Sequence, residues 1–171
     1  MSRKKLRLSL VILGVLLLSL LMTSGLDAGA RPRLSIDGIG LSRRIVEFPL
    51  ANDTWSIKPW EKNVGHLAGT GWFDNPGNIV IAGHSTLPNG KPGTFYHLDQ
   101  LTVGSNIALF DGSVNRQYTV TDIHTVSEYD LSVVMPTSDD RLTLITCLIS
   151  SYDAHTQEYT SRLVVTAERV S

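Results

Sequence analysis

A single cysteine, Cys147, stands in the 171-residue chain and closes the run Thr143-Leu144-Ile145-Thr146-Cys147. On a strand, alternation puts Thr143, Ile145 and Cys147 on one face. One cysteine forms no intramolecular disulfide, so three roles are open: a reactive thiol, an intermolecular disulfide partner or a buried filler. A nucleophilic thiol needs a base or an ion-pair partner to supply thiolate. Of five histidines, His84 has the most suggestive setting, because the run Ile79-Val80-Ile81-Ala82-Gly83 delivers it from the core to a strand end. Gly83 is expected to leave room for the close approach of a ligand, and a loop-capping histidine is the alternative role for His84. Arg162 opens the last β-like run, with Val164 on its face and Leu163 and Val165 on the other. From position alone, a surface ion pair is a role open to it.

Other chemistry is poorly supplied. Successive histidines lie 18, 13, 27 and 31 residues apart. With one cysteine, that spacing argues against a zinc site. His66, His97, His124 and His155 have weaker settings than His84: His97 falls on a helical turn and His124 within a strand. No complete Gly-x-Gly-x-x-Gly and no phosphate loop occurs. Asp139-Asp140 and Glu128-Tyr129-Asp130 have oxygen ligands that suit calcium, although loop acids are more often simply solvated. No cofactor is expected. The net charge of -1 argues against nucleic acid as a partner.

The elements that must position these groups are mostly short and β-like. Leu34–Ile36, Arg44–Phe48, Asn78–Ala82, Ser105–Phe110, Gln117–Val126, Arg141–Leu148 and Arg162–Val170 read as strands. Breaks such as Asn75-Pro76-Gly77, Pro88-Asn89-Gly90 and Asp111-Gly112 separate them. The apolar run Asn78–Ala82 suits a strand buried on both faces. Within Gln117–Val126 the alternation slips between Val120 and Ile123, which predicts a bulge. Phe95, Leu98 and Leu101 recur every three residues and predict a helical turn over Thr94–Leu101. The expected fold is all-β: a closed or nearly closed barrel of seven or eight strands with one or two short helices.

The chain begins differently. Leu8–Leu26 is 19 residues without a charge, preceded by Arg3, Lys4, Lys5 and Arg7. As a helix it would be about 28 Å long, close to a bilayer core of about 30 Å. The basic cluster would stay cytoplasmic and place the rest of the chain outside the cell. Ala28-Gly29-Ala30 resembles a signal-peptide cleavage site, but the apolar run exceeds the usual length of a signal core, so a retained single-pass anchor is expected. The domains expected are a basic start and anchor over 1–26, a linker over 27–33 and an extracellular catalytic domain over 34–171.

Thr143-Leu144-Ile145-Thr146-Cys147 resembles the Thr-Leu-x-Thr-Cys signature of sortases. Gly77–His84 looks like the strand and histidine that precede it in those enzymes, and Arg162 falls where the family's arginine falls. Phe95–Ser105 resembles the family's Phe-x-x-Leu-x-x-Leu-x-x-Gly-Asp element, with Ser105 in place of the aspartate. The resemblance runs from about Leu34 to Val170. It implies an eight-stranded barrel and a cysteine transpeptidase, a thiol protease in type, with Cys147 as nucleophile, His84 moving protons and Arg162 holding the oxyanion or substrate backbone. It also implies partners: surface proteins bearing a C-terminal Leu-Pro-x-Thr-Gly-like sorting signal, and an amine of a peptidoglycan precursor or a pilin-like lysine as acceptor.

Two other readings compete with it. A papain-like exported peptidase usually carries its cysteine before its histidine, at a helix start. A catalytically silent, membrane-tethered barrel would only bind a partner. Reference pKa values of about 8.5 for cysteine and 6.5 for histidine would leave a thiolate–imidazolium pair in about one molecule per hundred.

Overall fold

The computed structural model describes residues 31–112 and 114–170. Eight strands form the wall: β1 (Arg33–Ile36), β2 (Leu41–Phe48), β3 (Val64–Leu67), β4 (Asn78–Ala82), β5 (Asn106–Asp111), β6 (Val114–Ser127), β7 (Arg141–Cys147) and β8 (Ser161–Arg169). They close into a barrel in the order β1-β2-β3-β4-β7-β8-β6-β5. The β2–β3 and β4–β7 pairs are parallel and the rest antiparallel. Closure leaves no unpaired edge in this ring, which disposes of the aggregation hazard of an open sheet. Two short ribbons, Leu50–Ala51 with Thr54–Trp55 and Tyr152–Asp153 with Glu158–Tyr159, stand outside it.

Alternation builds two apolar layers. Ile79 and Ile81 of β4, Leu142 and Leu144 of β7, and Leu163, Val165 and Ala167 of β8 point inward to one large core. Val80, Ala82 and Ile145 point outward and meet Phe48, Leu67, Trp55 and Val134 in a smaller cluster on the outer wall. The central strand β4 is therefore buried on both sides, as its uninterrupted apolar run predicts. Phe95, Leu98 and Leu101 are buried in the large core. Their segment is a turn followed by a 3-10 helix at Leu98–Gln100.

The predicted bulge lies at Thr121. Thr166 pairs with Asp122 and Ala167 with Val120, so Thr121 is the extra residue, and Ile123 returns to the core side. The helices differ from expectation: four 3-10 turns occur among the described residues, at Asp37–Ile39, Leu98–Gln100, Ser132–Val134 and Ile149–Ser151. Among these residues no helix is long and apolar enough to cross a membrane. The anchor expected over residues 1–26 lies outside the described residues.

Candidate active site

Three neighbouring strands bring the candidate residues to one end of the barrel. Arg162 of β8 pairs directly with Cys147 of β7, followed by Leu163 with Thr146 and Val164 with Ile145. On the other side β4 runs parallel to β7, with Ala82 beside Ile145. The register continues past the strand end: Gly83 N donates to Ile145 O (3.2 Å), and Thr146 Oγ1 donates to Gly83 O (2.8 Å). His84 thus comes next as the counterpart of Cys147, and the cysteine's position falls between those of the histidine and the arginine. Cys147 and Arg162 share the outward parity of Ile145 and Val164, as the alternation of both runs predicts.

The loop joining Cys147 to Arg162 is held at its root. Leu148 N donates to Ser161 O (3.0 Å), while Ser151 Oγ donates to Leu148 O (2.8 Å) and accepts from Ser161 N (3.1 Å). Fourteen residues can therefore bulge out without loosening the cysteine–arginine pair. The Tyr152–Asp153 and Glu158–Tyr159 ribbon lies within them, and the Tyr159 hydroxyl bonds Thr86 Oγ1 at 2.5 Å, tying this loop to the one after His84.

The glycine before the histidine has a different job from the one expected of it. A Cβ at Gly83 would stand 2.8 Å from the Phe95 ring, so the missing side chain makes room for the core and not for a ligand. His84 Nε2 lies 2.9 Å from Lys58 O. A carbonyl only accepts, so Nε2 carries the proton and Nδ1 is the nitrogen left to exchange one.

Burial pushes the Cys147 thiol above the ordinary cysteine range; the Arg162 charge opposes that shift and the Glu128 carboxylate adds to it. Arg162 is itself engaged: Nη1 donates to Tyr159 O (2.6 Å) and Ser161 O (3.2 Å), and Nη2 to Glu128 Oε2 (3.3 Å). The ion pair weighed as an alternative role for this arginine is thus present, at the very end of the barrel that holds the cysteine.

The remaining histidines have other attachments. Burial lowers the pKa of His66, whose Nε2 meets Gly71 O and Thr70 Oγ1 and whose ring packs on Trp72. His124 pairs with Asp122, and the backbone of His155 bonds Asp153. His97 lies closer to the chemistry, because it lines the pocket that contains Cys147. Among the described residues no group of three or more His, Cys, Asp or Glu is arranged to hold a metal. Glu128 binds Arg162 and Asp130 accepts from Ser132 N, so neither acid is idle.

In the sequence Glu128 stands out only as a loop acid, because its arginine partner is 34 residues away. Lys58 carries no sequence signal, since its contribution is a backbone carbonyl.

The fold and this end of it define a closed eight-stranded barrel with a thiol in line between an imidazole-bearing and a guanidinium-bearing strand. A sequence model of the sortase domain matches residues 34–170, and the chain belongs to the sortase family. It is 37% identical over 71 residues to sortase A of Listeria monocytogenes, a stretch covering 42% of this chain and 31% of that protein. The fold is similar to a Clostridium perfringens sortase D5 transpeptidase, with a TM-score of 0.65 and 25% identity over 82% of this chain and 79% of that one. It is likewise similar to sortase C-1 of Actinomyces oris, with a TM-score of 0.64 and 27% identity over 82% and 73%.

Proposed function

We propose that this protein is a cysteine transpeptidase that cuts a sorting signal of Leu-Pro-x-Thr-Gly type and transfers the new carboxyl end to an amine. The register that puts Cys147 between Arg162 and His84 is the observation that carries the reading. In it, the Cys147 thiolate attacks the scissile carbonyl carbon. The carbon–nitrogen bond breaks as His84, protonated at Nδ1, gives that proton to the leaving amine. An acceptor amine then attacks the thioester, its proton passes to Nδ1, and the carbon–sulfur bond breaks to release the thiolate. Arg162 Nη2 exchanges Glu128 for the substrate backbone or the oxyanion. The donors are surface proteins and the acceptor is an amine of a cell-wall precursor or of another protein; residues 8–26 anchor the enzyme, with its barrel outside the cytoplasm.

The test is mass spectrometry of the detergent-solubilised full chain incubated with a library of candidate signal peptides and amines. A thioester on wild-type protein that is absent from Cys147→Ala is expected, with amide products when an amine is present. His84→Ala should lose turnover deeply, whereas His124→Ala, paired with Asp122 and outside the Cys147 pocket, should retain it. Equal losses in the two histidine variants would overturn the assignment of His84.

A further inference from the structure

We propose that the pocket Cys147 shares with Ser85 and Asp99 is the docking site for the acceptor amine, with Ser85 Oγ as its hydrogen-bonding partner. The inference rests on the transpeptidase reading and names where its second substrate binds. Ser85 is the residue after His84 and is only 2% exposed. Its carbonyl is spent, since Ser85 O accepts from Gly93 N at 2.8 Å. Its hydroxyl is not: Ser85 Oγ is buried without a partner, one of two such side-chain atoms among the described residues. Buried hydroxyls are normally paired, so an orphan hydroxyl on a pocket-lining residue is a donor and acceptor held just beneath the pocket wall for a ligand. The pocket is about 440 Å³ and includes Thr146 and Cys147. Thr146 cannot serve in the same way, because its hydroxyl already donates to Gly83 O.

Charge selects the ligand. Asp99 is the one acidic residue in the lining, and neither lysine nor arginine joins it. Gln100 spends its side-chain nitrogen on His97 Nδ1 (2.9 Å), which leaves its carbonyl oxygen to accept. Such a lining repels carboxylates and phosphates and draws in an ammonium. The neighbouring pocket, which His84 lines with Ile57, Pro59, Ile149 and Tyr152, contains no Asp, Glu, Lys or Arg and offers an amine no such attraction. The amine arrives protonated, loses one proton to solvent, attacks the thioester carbonyl and gives its second proton to His84 as the carbon–sulfur bond breaks.

The experiment tracks the fate of the thioester on the full chain in detergent. A Leu-Pro-x-Thr-Gly-type peptide supplies the acyl group and triglycine amide, below saturation, the amine; the readout is the ratio of amide to hydrolysed acid. Ser85→Ala should lower that ratio about fivefold, the worth of one hydrogen bond, with Ser85→Thr restoring part of it. Asp99→Asn, an exposed change that does not threaten folding, should lower it in the same direction. A merely structural serine would scale both products together, and an unchanged ratio in these variants overturns the proposal. If no peptide forms a thioester, the transpeptidase reading itself has failed. The pocket is then judged by Cys147 modification with a trimethylammonium methanethiosulfonate against its sulfonate counterpart. Asp99→Asn should erase a preference for the cationic reagent, and a preference it leaves untouched overturns the site.

Discussion

Arg162 stands across the ladder from Cys147, yet its guanidinium is anchored by Glu128 and the Tyr159 carbonyl. Neither side of this ion pair is fully buried, so its worth to stability is small, about 0–1 kcal/mol. Its worth to catalysis is expected to be larger. Removing a preorganised donor from an oxyanion or substrate backbone costs on the order of 100- to 1000-fold in rate. Arg162→Ala should therefore lose that much kcat/KM with little change in Tm. Arg162→Lys should recover only part, because lysine keeps the charge and loses the planar fork. Wild-type turnover in Arg162→Ala would remove the arginine from the mechanism. Arg169→Ala is the same-strand control.

Burial and the same two charges set a pH dependence. Burial raises the Cys147 pKa, Arg162 lowers it and Glu128 raises it. Thiolate therefore emerges only above the ordinary cysteine range, and the alkylation rate with iodoacetamide should climb with a midpoint above about 8.5. Glu128→Gln removes a charge that disfavours thiolate and should move the midpoint down. Arg162→Ala removes one that favours it and should move it up. Shifts of the opposite sign would show that the thiol does not sense this pair.

The residues that announced themselves in sequence did so through pattern. The apolar run of β4 and the alternation in β7 and β8 were legible because burial imposes them directly. The bulge at Thr121 was legible as a slip in that alternation. Strand β3 was not, because Val64-Gly65-His66-Leu67 has no side chain at its second position. The structure gives the reason: a Cβ on Gly65 would collide with the Phe48 ring. The register brings Cys147, His84 and Arg162 to one end of the barrel; the first two were singled out by residue type and the arginine by the family resemblance. Glu128, Lys58 and Ser85 were not, since their contributions are a distant ion pair, a main-chain oxygen and a missing hydrogen bond.

At the other end of β7, Asp140 gathers the charges that Cys147 does not meet. It accepts from Arg116 (3.3 Å), Arg169 (2.8 Å) and the Tyr118 hydroxyl (3.2 Å). Arg116 is buried, with Phe73 O and the Phe73 ring as its other partners. Asp140→Ala would strand that cation, and breaking a buried pair in this way costs about 3–5 kcal/mol. The expected result is a large fall in Tm, with kcat/KM preserved at temperatures where the variant remains folded. A variant as stable as wild type would mean that water or Phe73 alone satisfies Arg116.

Gly93 offers a test of how the histidine is held. Its N donates to Ser85 O (2.8 Å), and two residues on Phe95 N donates to His84 O (2.9 Å), so this short stretch clasps the backbone of His84 and Ser85 through two adjacent carbonyls. A Cβ at Gly93 would collide with His84 O and lie 2.7 Å from its carbonyl carbon. Those are backbone atoms with no rotamer to retreat into, so the clasp must open and carry His84 with it. Gly93→Ala should cost about 1–3 kcal/mol, as overpacking does, and should also lower kcat by displacing the His84 imidazole. Gly38→Ala is the matched control: a Cβ there meets nothing within 4 Å. It should be neutral, or stabilise by about 0.4–1 kcal/mol through the unfolded chain. Differential scanning calorimetry with peptide turnover on the two variants separates the cases. Gly93→Ala with the Tm and kcat of Gly38→Ala would mean that His84 is positioned by Lys58 alone and the clasp is incidental.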